Sequence, residues 1–135
     1  MNVSIIEVKD SIMKSQFAKE ILRSLPEWFG NEKALNDYAE GVASLPFWIA
    51  LNSDENCIGF ISIKTQYGRT GDIYVLGVLP EYHRRGVGRL LVSKAEEYLR
   101  SNNYKYIIVK TLSDIVEYDH TRKQENFIKV LVLKN

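Results

Sequence analysis

The side chains with the most chemical content lie in one segment, H-R-R-G-V-G-R-L-L, at positions 83–91. Gly86 and Gly88 allow positive φ angles and let a ligand approach the backbone closely. From Val87 onward the apolar residues recur at helical spacing, so the segment opens a helix whose first N–H groups lack intrahelical acceptors. Such a terminus attracts anions, and the simplest ligand is a phosphate or a diphosphate. Three arginines add positive charge around it: Arg84, Arg85 and Arg89.

A strand and a turn precede this loop and must hold it in place. Residues Ile73 to Val78 are apolar and rich in β-branched and aromatic side chains, which is typical of a strand covered on both faces. Gly77 within it indicates a bulge or a close approach by another backbone. Pro80 ends the strand because proline offers no donor to a β-ladder. The order of elements is therefore strand, turn, loop and helix.

The rest of the chain predicts further strands and helices around this unit. A first strand over Val3–Val8 precedes a helix that Asp10 or Ser11 can cap and that Pro26 ends, and Asn31 can cap a second helix. The other predicted elements are a hairpin of Phe47–Leu51 and Cys57–Lys64, a turn over Gln66–Thr70, a strand over Tyr104–Thr111, one or two helical turns over Thr121–Phe127, and a last strand over Ile128–Leu133. No linker separates them, so we expect a single domain over residues 1–135.

Composition and charge narrow the classes of function. The 135-residue chain is 45% hydrophobic and 26% charged, so it can bury a core of ordinary size. Its formal net charge is +1, so no global field would recruit nucleic acid or an acidic membrane surface. No apolar run approaches the roughly 18 residues that span a bilayer, and the chain begins without a signal-peptide pattern. We therefore expect a cytoplasmic protein.

Cysteine and histidine indicate neither a disulfide nor a metal site. The single cysteine, Cys57, excludes an internal disulfide and lies in an apolar run, where a buried thiol is expected. His83 and His120 have no metal-ligand spacing to each other or to Cys57. We therefore expect no metal.

The segment H-R-R-G-V-G-R-L-L, after V-L-G-V-L-P-E-Y, resembles the acyl-CoA-binding motif of the GNAT superfamily of N-acetyltransferases. That motif is Gln/Arg-x-x-Gly-x-Gly/Ala, and this chain departs from it at the first position, where His83 stands. A Rossmann fingerprint would need glycine or alanine at Leu91, and a Walker loop would need Gly-Lys-Ser/Thr. The resemblance is strongest from Ile58 to Thr111. It implies an α/β (α+β) fold with a mixed central sheet flanked by helices, and acetyl-CoA as cosubstrate.

The resemblance also implies where the cosubstrate binds. Backbone groups of Leu76, Gly77 and Val78 are expected to pair with pantetheine and to polarise the thioester carbonyl. The loop and the first turn of the helix are expected to hold the diphosphate. The residues concerned are His83, Arg84, Arg85, Gly86, Val87, Gly88 and Arg89.

Candidate catalytic residues follow from the same resemblance. Asp72 falls where histone-type members carry a strand-four glutamate, so it is a candidate base that would act through water. The alternative for Asp72 is a solvated aspartate at the start of a strand. Tyr118 is the candidate acid for the leaving thiolate, and the alternative is an exposed loop tyrosine. Glu27 and Trp28 are candidates for the acceptor pocket, and the alternative for Trp28 is packing onto the core.

The C-terminal part is abridged relative to the family pattern, because one strand, Ile128–Leu133, stands where two are expected. The resemblance implies a sheet that opens between strands five and six to admit the thioester arm. An apolar strand with an exposed edge is a template for pairing with another chain. We therefore predict a homodimer through this C-terminal strand.

The function that these features imply is transfer of an acetyl group from acetyl-CoA to a primary amine of a small molecule or peptide, by direct attack. One alternative is a CoA-binding module with weak or no activity, because the region that completes the site is short. A second alternative is a nucleotide- or phosphate-binding regulator that uses the same loop.

Overall fold

A computed structural model describes residues 2–26, 31–65, 70–110 and 128–132, with 109, 110 and 128–132 described by their backbone. The strands are β1 (Ser4–Glu7), β2 (Phe47–Leu51), β3 (Cys57–Thr65), β4 (Thr70–Val78), β5 (Tyr106–Lys110) and β6 (Ile128–Val132). The helices are α1 (Ser11–Arg23), α2 (Glu32–Gly41) and α3 (Val87–Ser101). Short 3-10 turns lie at Val42–Ser44 and Pro80–Tyr82.

In the described part of the chain, six strands form one sheet in the order β1-β2-β3-β4-β5-β6. Neighbouring strands run antiparallel except β4 and β5, which are parallel because α3 connects them as a crossover. The mixed sheet with flanking helices that the sequence predicts is confirmed. None of the helices in the described part of the chain has the length and apolar character needed to cross a membrane.

Each face of the sheet carries its own apolar cluster. α3 packs on one face, against Ile61, Ile63 and Leu76. α1 and α2 pack on the other face, where the stacked rings of Phe47 and Phe60 have their centroids 5.2 Å apart. Because both faces are covered, the central strands are buried on both sides, as their continuous apolar runs indicate.

The predicted helix caps are present. Asp10 accepts a hydrogen bond from the Met13 N–H at 2.9 Å, and Asn31 accepts one from the Ala34 N–H at 3.4 Å. Each bond satisfies an N–H group that the first turn of a helix leaves without an intrahelical acceptor. α1 and α2 therefore begin where the sequence places them.

The end of α3 explains why β5 starts later than predicted. Asn103 adopts a left-handed φ of 65° just after the helix. The Tyr104 N–H then donates to the Leu99 carbonyl oxygen at 2.9 Å, which closes the last turn. Because this amide serves the helix, the strand begins at Tyr106 and not at Tyr104.

β4 and β5 diverge after a short parallel ladder. They pair only between Thr70–Asp72 and Tyr106–Ile108, whereas β5 and β6 pair over the whole of both strands. β4 also carries an extra residue, Tyr74, between the partners of Ser62 and Ile63, and such a bulge bends and twists its strand. The expected opening between strands five and six is therefore wrong, because the sheet opens between β4 and β5.

The C-terminal strand pairs within its own chain. β6 runs antiparallel to β5, with Ile128 opposite Lys110 and Val132 opposite Tyr106. One edge of β6 is therefore covered, and a homodimer through this strand would use its other edge. That homodimer stays a prediction. The predicted helical turns over Thr121–Phe127 lie outside the described residues.

Candidate active site

The connection between β4 and α3 folds into a tight loop with two left-handed residues. Arg84 has a φ of 65° and Gly86 a φ of 83°. A left-handed conformation costs a residue other than glycine about 1–2 kcal/mol, and such strain concentrates at functional sites. Left-handed Gly86 followed by right-handed Val87 can turn successive N–H groups to one side, which forms a concavity for an anion.

The N-terminus of α3 is open to a ligand. Its first intrahelical hydrogen bond runs from the Leu90 N–H to the Gly86 carbonyl oxygen at 3.1 Å, and no side chain among the described residues caps the helix. The N–H groups of Val87 and Gly88 therefore have no acceptor within the helix. A Cβ added to Gly86 would meet no atom of the described residues within 4 Å, so open space adjoins these groups in that part of the chain. A helix terminus with open space beside it is the kind of site that binds phosphate groups.

Side chains brace the loop from two directions. His83 Nε2 lies 2.7 Å from the Val78 carbonyl oxygen and donates to it, because a carbonyl only accepts. Asn52 Nδ2 donates to the Tyr82 hydroxyl at 3.1 Å, and the Arg85 guanidinium lies 5.8 Å from the centroid of the same tyrosine ring. The three arginines of this region are all exposed: Arg84, Arg85 and Arg89.

Two backbone positions of β4 face the gap between β4 and β5. The Leu79 N–H donates to the Ile58 carbonyl oxygen at 2.9 Å, so Leu79 faces β3. Backbone groups alternate in direction along a strand, so Val78 and Leu76 face the gap and Gly77 faces β3. Leu76 and Val78 thus lie where the predicted pairing with pantetheine needs them, and that pairing stays a prediction.

Gly77 lies where neighbouring side chains leave little room for a Cβ. A Cβ added to it would lie 3.0 Å from atoms of Ile21 and Phe60, because α1 crosses the strand at this point. The bulge that this glycine was expected to mark lies at Tyr74 instead. Glycine in a strand signals either a bulge or a close approach, and here the close approach is that of α1.

Asp72 occupies the last paired position before the gap. It lies opposite Ile108 in β5 and Lys64 in β3, and only 9% of its surface is exposed. A Cβ on Gly71 would meet Leu99 of α3, so the next residue, Asp72, faces the side of α1 and α2. The alternative of a solvated aspartate is therefore wrong. A carboxylate buried where β4 and β5 begin to diverge can receive a proton from an amine that enters the gap between them.

Two tyrosines that the sequence analysis did not single out lie on the same side. The ring centroid of Tyr74 is 5.1 Å from that of Tyr38 in α2, and its hydroxyl lies against Gly41. Burial, followed by the nearby Tyr38 and Asp37, raises the pKa of Tyr74, so its hydroxyl stays protonated. Its position two residues after Asp72 was the available signal, because alternate residues of a strand face the same side of the sheet.

Other candidates can be placed only in part. Glu27, Trp28 and Tyr118 lie outside the described residues, so their roles stay predictions. Burial raises the pKa of Cys57 to about 11, so its thiol is not a nucleophile at neutral pH. Over residues 2–26, 31–65, 70–110 and 128–132, no group of three or more His, Cys, Asp or Glu side chains could hold a metal ion.

The fold and the loop agree with a family assignment from the sequence. The sequence model of the acetyltransferase (GNAT) family matches residues 13–119, which is most of the chain. The chain belongs to the GNAT acetyltransferase family. The resemblance noted from the loop motif is thereby confirmed.

Three individual relatives share less than 30% sequence identity with this chain. Streptothricin acetyltransferase A of Bacillus subtilis is 27% identical over 89 residues, which cover 66% of this chain and 49% of that protein. The chain thus spans about half the length of this relative. A GNAT-family acetyltransferase from Staphylococcus aureus Mu50 superimposes with a TM-score of 0.73 at 16% identity, covering 98% of this chain and 100% of that one. PaiA N-acetyltransferase of Thermoplasma acidophilum, solved in complex with coenzyme A, gives a TM-score of 0.65 at 19% identity, covering 93% and 96%.

Proposed function

We propose that this chain is an N-acetyltransferase that moves an acetyl group from acetyl-CoA to a primary amine of a small molecule or peptide. The observation that carries the proposal is the open N-terminus of α3 beside the gap between β4 and β5. The helix terminus offers N–H groups and positive charge to a diphosphate. The gap offers strand backbone to an extended thioester arm.

Binding of the cosubstrate uses both features. The diphosphate lies against the N–H groups of Val87 and Gly88, in the open space beside Gly86. The arginines of the loop supply positive charge, which raises both the affinity and the rate of encounter. Leu76 and Val78 pair with the pantetheine arm and hold the thioester near Asp72.

The reaction requires the attacking nitrogen to lose two protons and the departing thiolate to gain one. The amine arrives as an ammonium ion and loses a proton through water to the buried carboxylate of Asp72. The free amine then adds to the thioester carbonyl carbon, the carbon–sulfur bond breaks, and the acetyl group remains on nitrogen, which gives up its second proton to the solvent. The departing thiolate takes up a proton, for which Tyr118 is the donor in this proposal.

The acceptor amine enters from the side of α1 and α2. Asp72, Tyr74 and Tyr38 lie on this side, and Glu27 and Trp28 belong to the connection between the two helices. A carboxylate beside aromatic faces favours a cationic amine. Streptothricin is one candidate acceptor, because a relative of this chain is named as its acetyltransferase.

Thiol release from acetyl-CoA tests this function. The protein is incubated with acetyl-CoA and, separately, streptothricin, aminoglycosides, polyamines, amino acids and peptides. We expect release that depends on one class of amine, with an acetylated amine as the product. CoA binding without release in any reaction would indicate a CoA-binding module. Displacement of CoA by ATP at equal concentration would indicate a nucleotide-binding regulator.

A further inference from the structure

His83 joins the loop at the start of α3 to the edge of β4 that faces the gap. Its Nε2 donates to the Val78 carbonyl oxygen at 2.7 Å, and Val78 is the last residue of β4. The backbone groups of Val78 face the gap, as the hydrogen bond of Leu79 to β3 establishes. A single side chain therefore links the two regions that, under the proposed function, bind different parts of CoA.

The chain between these two points is short and folds back on itself. The Tyr82 N–H donates to the Leu79 carbonyl oxygen at 2.9 Å, and the His83 N–H donates to that of Pro80 at 3.1 Å. Arg84 follows with its left-handed φ of 65°. A strained residue keeps such a conformation only when its surroundings hold it, and His83 is its immediate neighbour. The side-chain bond of His83 thus fixes the backbone at the point where the strain begins.

We infer that His83 is a positioning residue that sets the distance between the diphosphate loop and the pantetheine edge, and is not itself a phosphate ligand. The inference rests on the proposed function. The Nε2 proton is directed at the Val78 carbonyl and is therefore not offered to an anion at α3. Without this bond the loop keeps its N–H groups but loses its fixed position relative to β4. A ligand that spans both regions is then weakened more than a ligand that uses the loop alone.

Three substitutions separate this role from simple loss of the side chain. In His83→Gln the carboxamide nitrogen is four bonds from Cα, as Nε2 is in histidine, so it can still donate to the Val78 carbonyl. In His83→Asn the same chemical group is one bond shorter and falls short of that oxygen. His83→Leu removes the donor and keeps an apolar volume of similar size. The Gln and Asn variants are matched in polarity, so they keep the comparison usable if the Leu variant fails to fold.

Calorimetry with two ligands provides the readout. CoA spans the loop and the strand edge, and ADP carries the diphosphate without the pantetheine arm. We expect His83→Asn and His83→Leu to raise the Kd for CoA about five- to tenfold, the usual effect of one lost hydrogen bond, and to change the Kd for ADP less than about twofold. His83→Gln should stay within about twofold of the unsubstituted protein for both ligands.

The outcomes distinguish this inference from the proposed function. An equal loss of affinity for CoA and ADP would show that His83 acts on the phosphate or on the loop alone. Unchanged CoA affinity in the Asn variant, or no rescue by Gln, would also overturn the positioning role. If the unsubstituted protein binds no CoA at all, the proposed function fails first, whatever the variants do.

Discussion

Substitution of Gly86 should weaken CoA binding far more than it lowers the stability of the protein, and the structure allows both effects to be quantified. In Gly86→Ala the new Cβ meets no atom within 4 Å among the residues that the structure describes, so it creates no clash with them. The cost comes from its φ of 83°, about 1–2 kcal/mol, offset by about 0.4–1 kcal/mol because alanine restricts the unfolded chain. A net loss of about 1 kcal/mol lowers Tm by about 3–5 °C in a domain of this size.

The effect of Gly86→Ala on CoA binding is expected to be much larger. The added Cβ enters the open space through which a diphosphate would reach the N–H groups of Val87 and Gly88. Loss of one charge-assisted hydrogen bond, about 1.5–3 kcal/mol, raises the Kd roughly 10- to 150-fold. Gly86→Glu adds like charge and should abolish binding. Calorimetry on the folded variants measures both effects.

Gly71→Ala is the matched control for this prediction. Its Cβ would fall 2.6 and 2.7 Å from the methyl carbons of Leu99, so it overpacks the core and costs about 1–3 kcal/mol. It should therefore destabilise the protein at least as much as Gly86→Ala, yet leave CoA affinity unchanged. A Gly86→Ala protein that binds CoA within twofold of the unsubstituted protein would refute the reasoning.

Four further predictions follow from the other described groups. Asp72→Asn should lower turnover about 10²-fold or more with CoA affinity kept, and an unchanged rate and pH–rate profile would remove Asp72 from the mechanism. Gly41→Ala displaces the Tyr74 hydroxyl, so it should raise the KM for the acceptor severalfold without changing CoA affinity; equal acceptor kinetics would exclude Tyr74 from the acceptor site. Burial raises the pKa of the Cys57 thiol from 9.0 to about 11, so less of it is thiolate at pH 8. Its alkylation at pH 8, followed by mass spectrometry, should therefore be roughly 100-fold slower than that of a free cysteine. Light scattering should show a homodimer that is lost on truncation after Phe127, and a stable monomer at micromolar concentration would exclude it.

Local features of the sequence are sufficient to predict much of the scaffold. Asp10 and Asn31 mark helix starts because their side chains satisfy N–H groups of the same turn. Gly86 marks the start of α3 because few other residues adopt its left-handed φ. These signals depend only on neighbouring residues, so they can be recognised without knowledge of the tertiary structure.

Features that depend on distant contacts could not be predicted in this way. The sheet opens beside Asp72, two residues before a bulge at Tyr74, and a bulge is one extra residue without a residue-type signature. The burial of Asp72 depends on β5, which is distant in sequence. The pairing of β6 with β5 likewise could not be predicted from the sequence, because an apolar strand pairs equally well with another chain.

The most direct test of the central claim, that the open N-terminus of α3 and the gap beside β4 form one acyl-CoA site, is an NMR titration with CoA. The amide signals of Val87 and Gly88 report on the loop, and those of Leu76 and Val78 report on the strand edge. We predict that all four shift together and yield one Kd. Shifts confined to the loop, or shifts that are largest elsewhere in the protein, would contradict the claim.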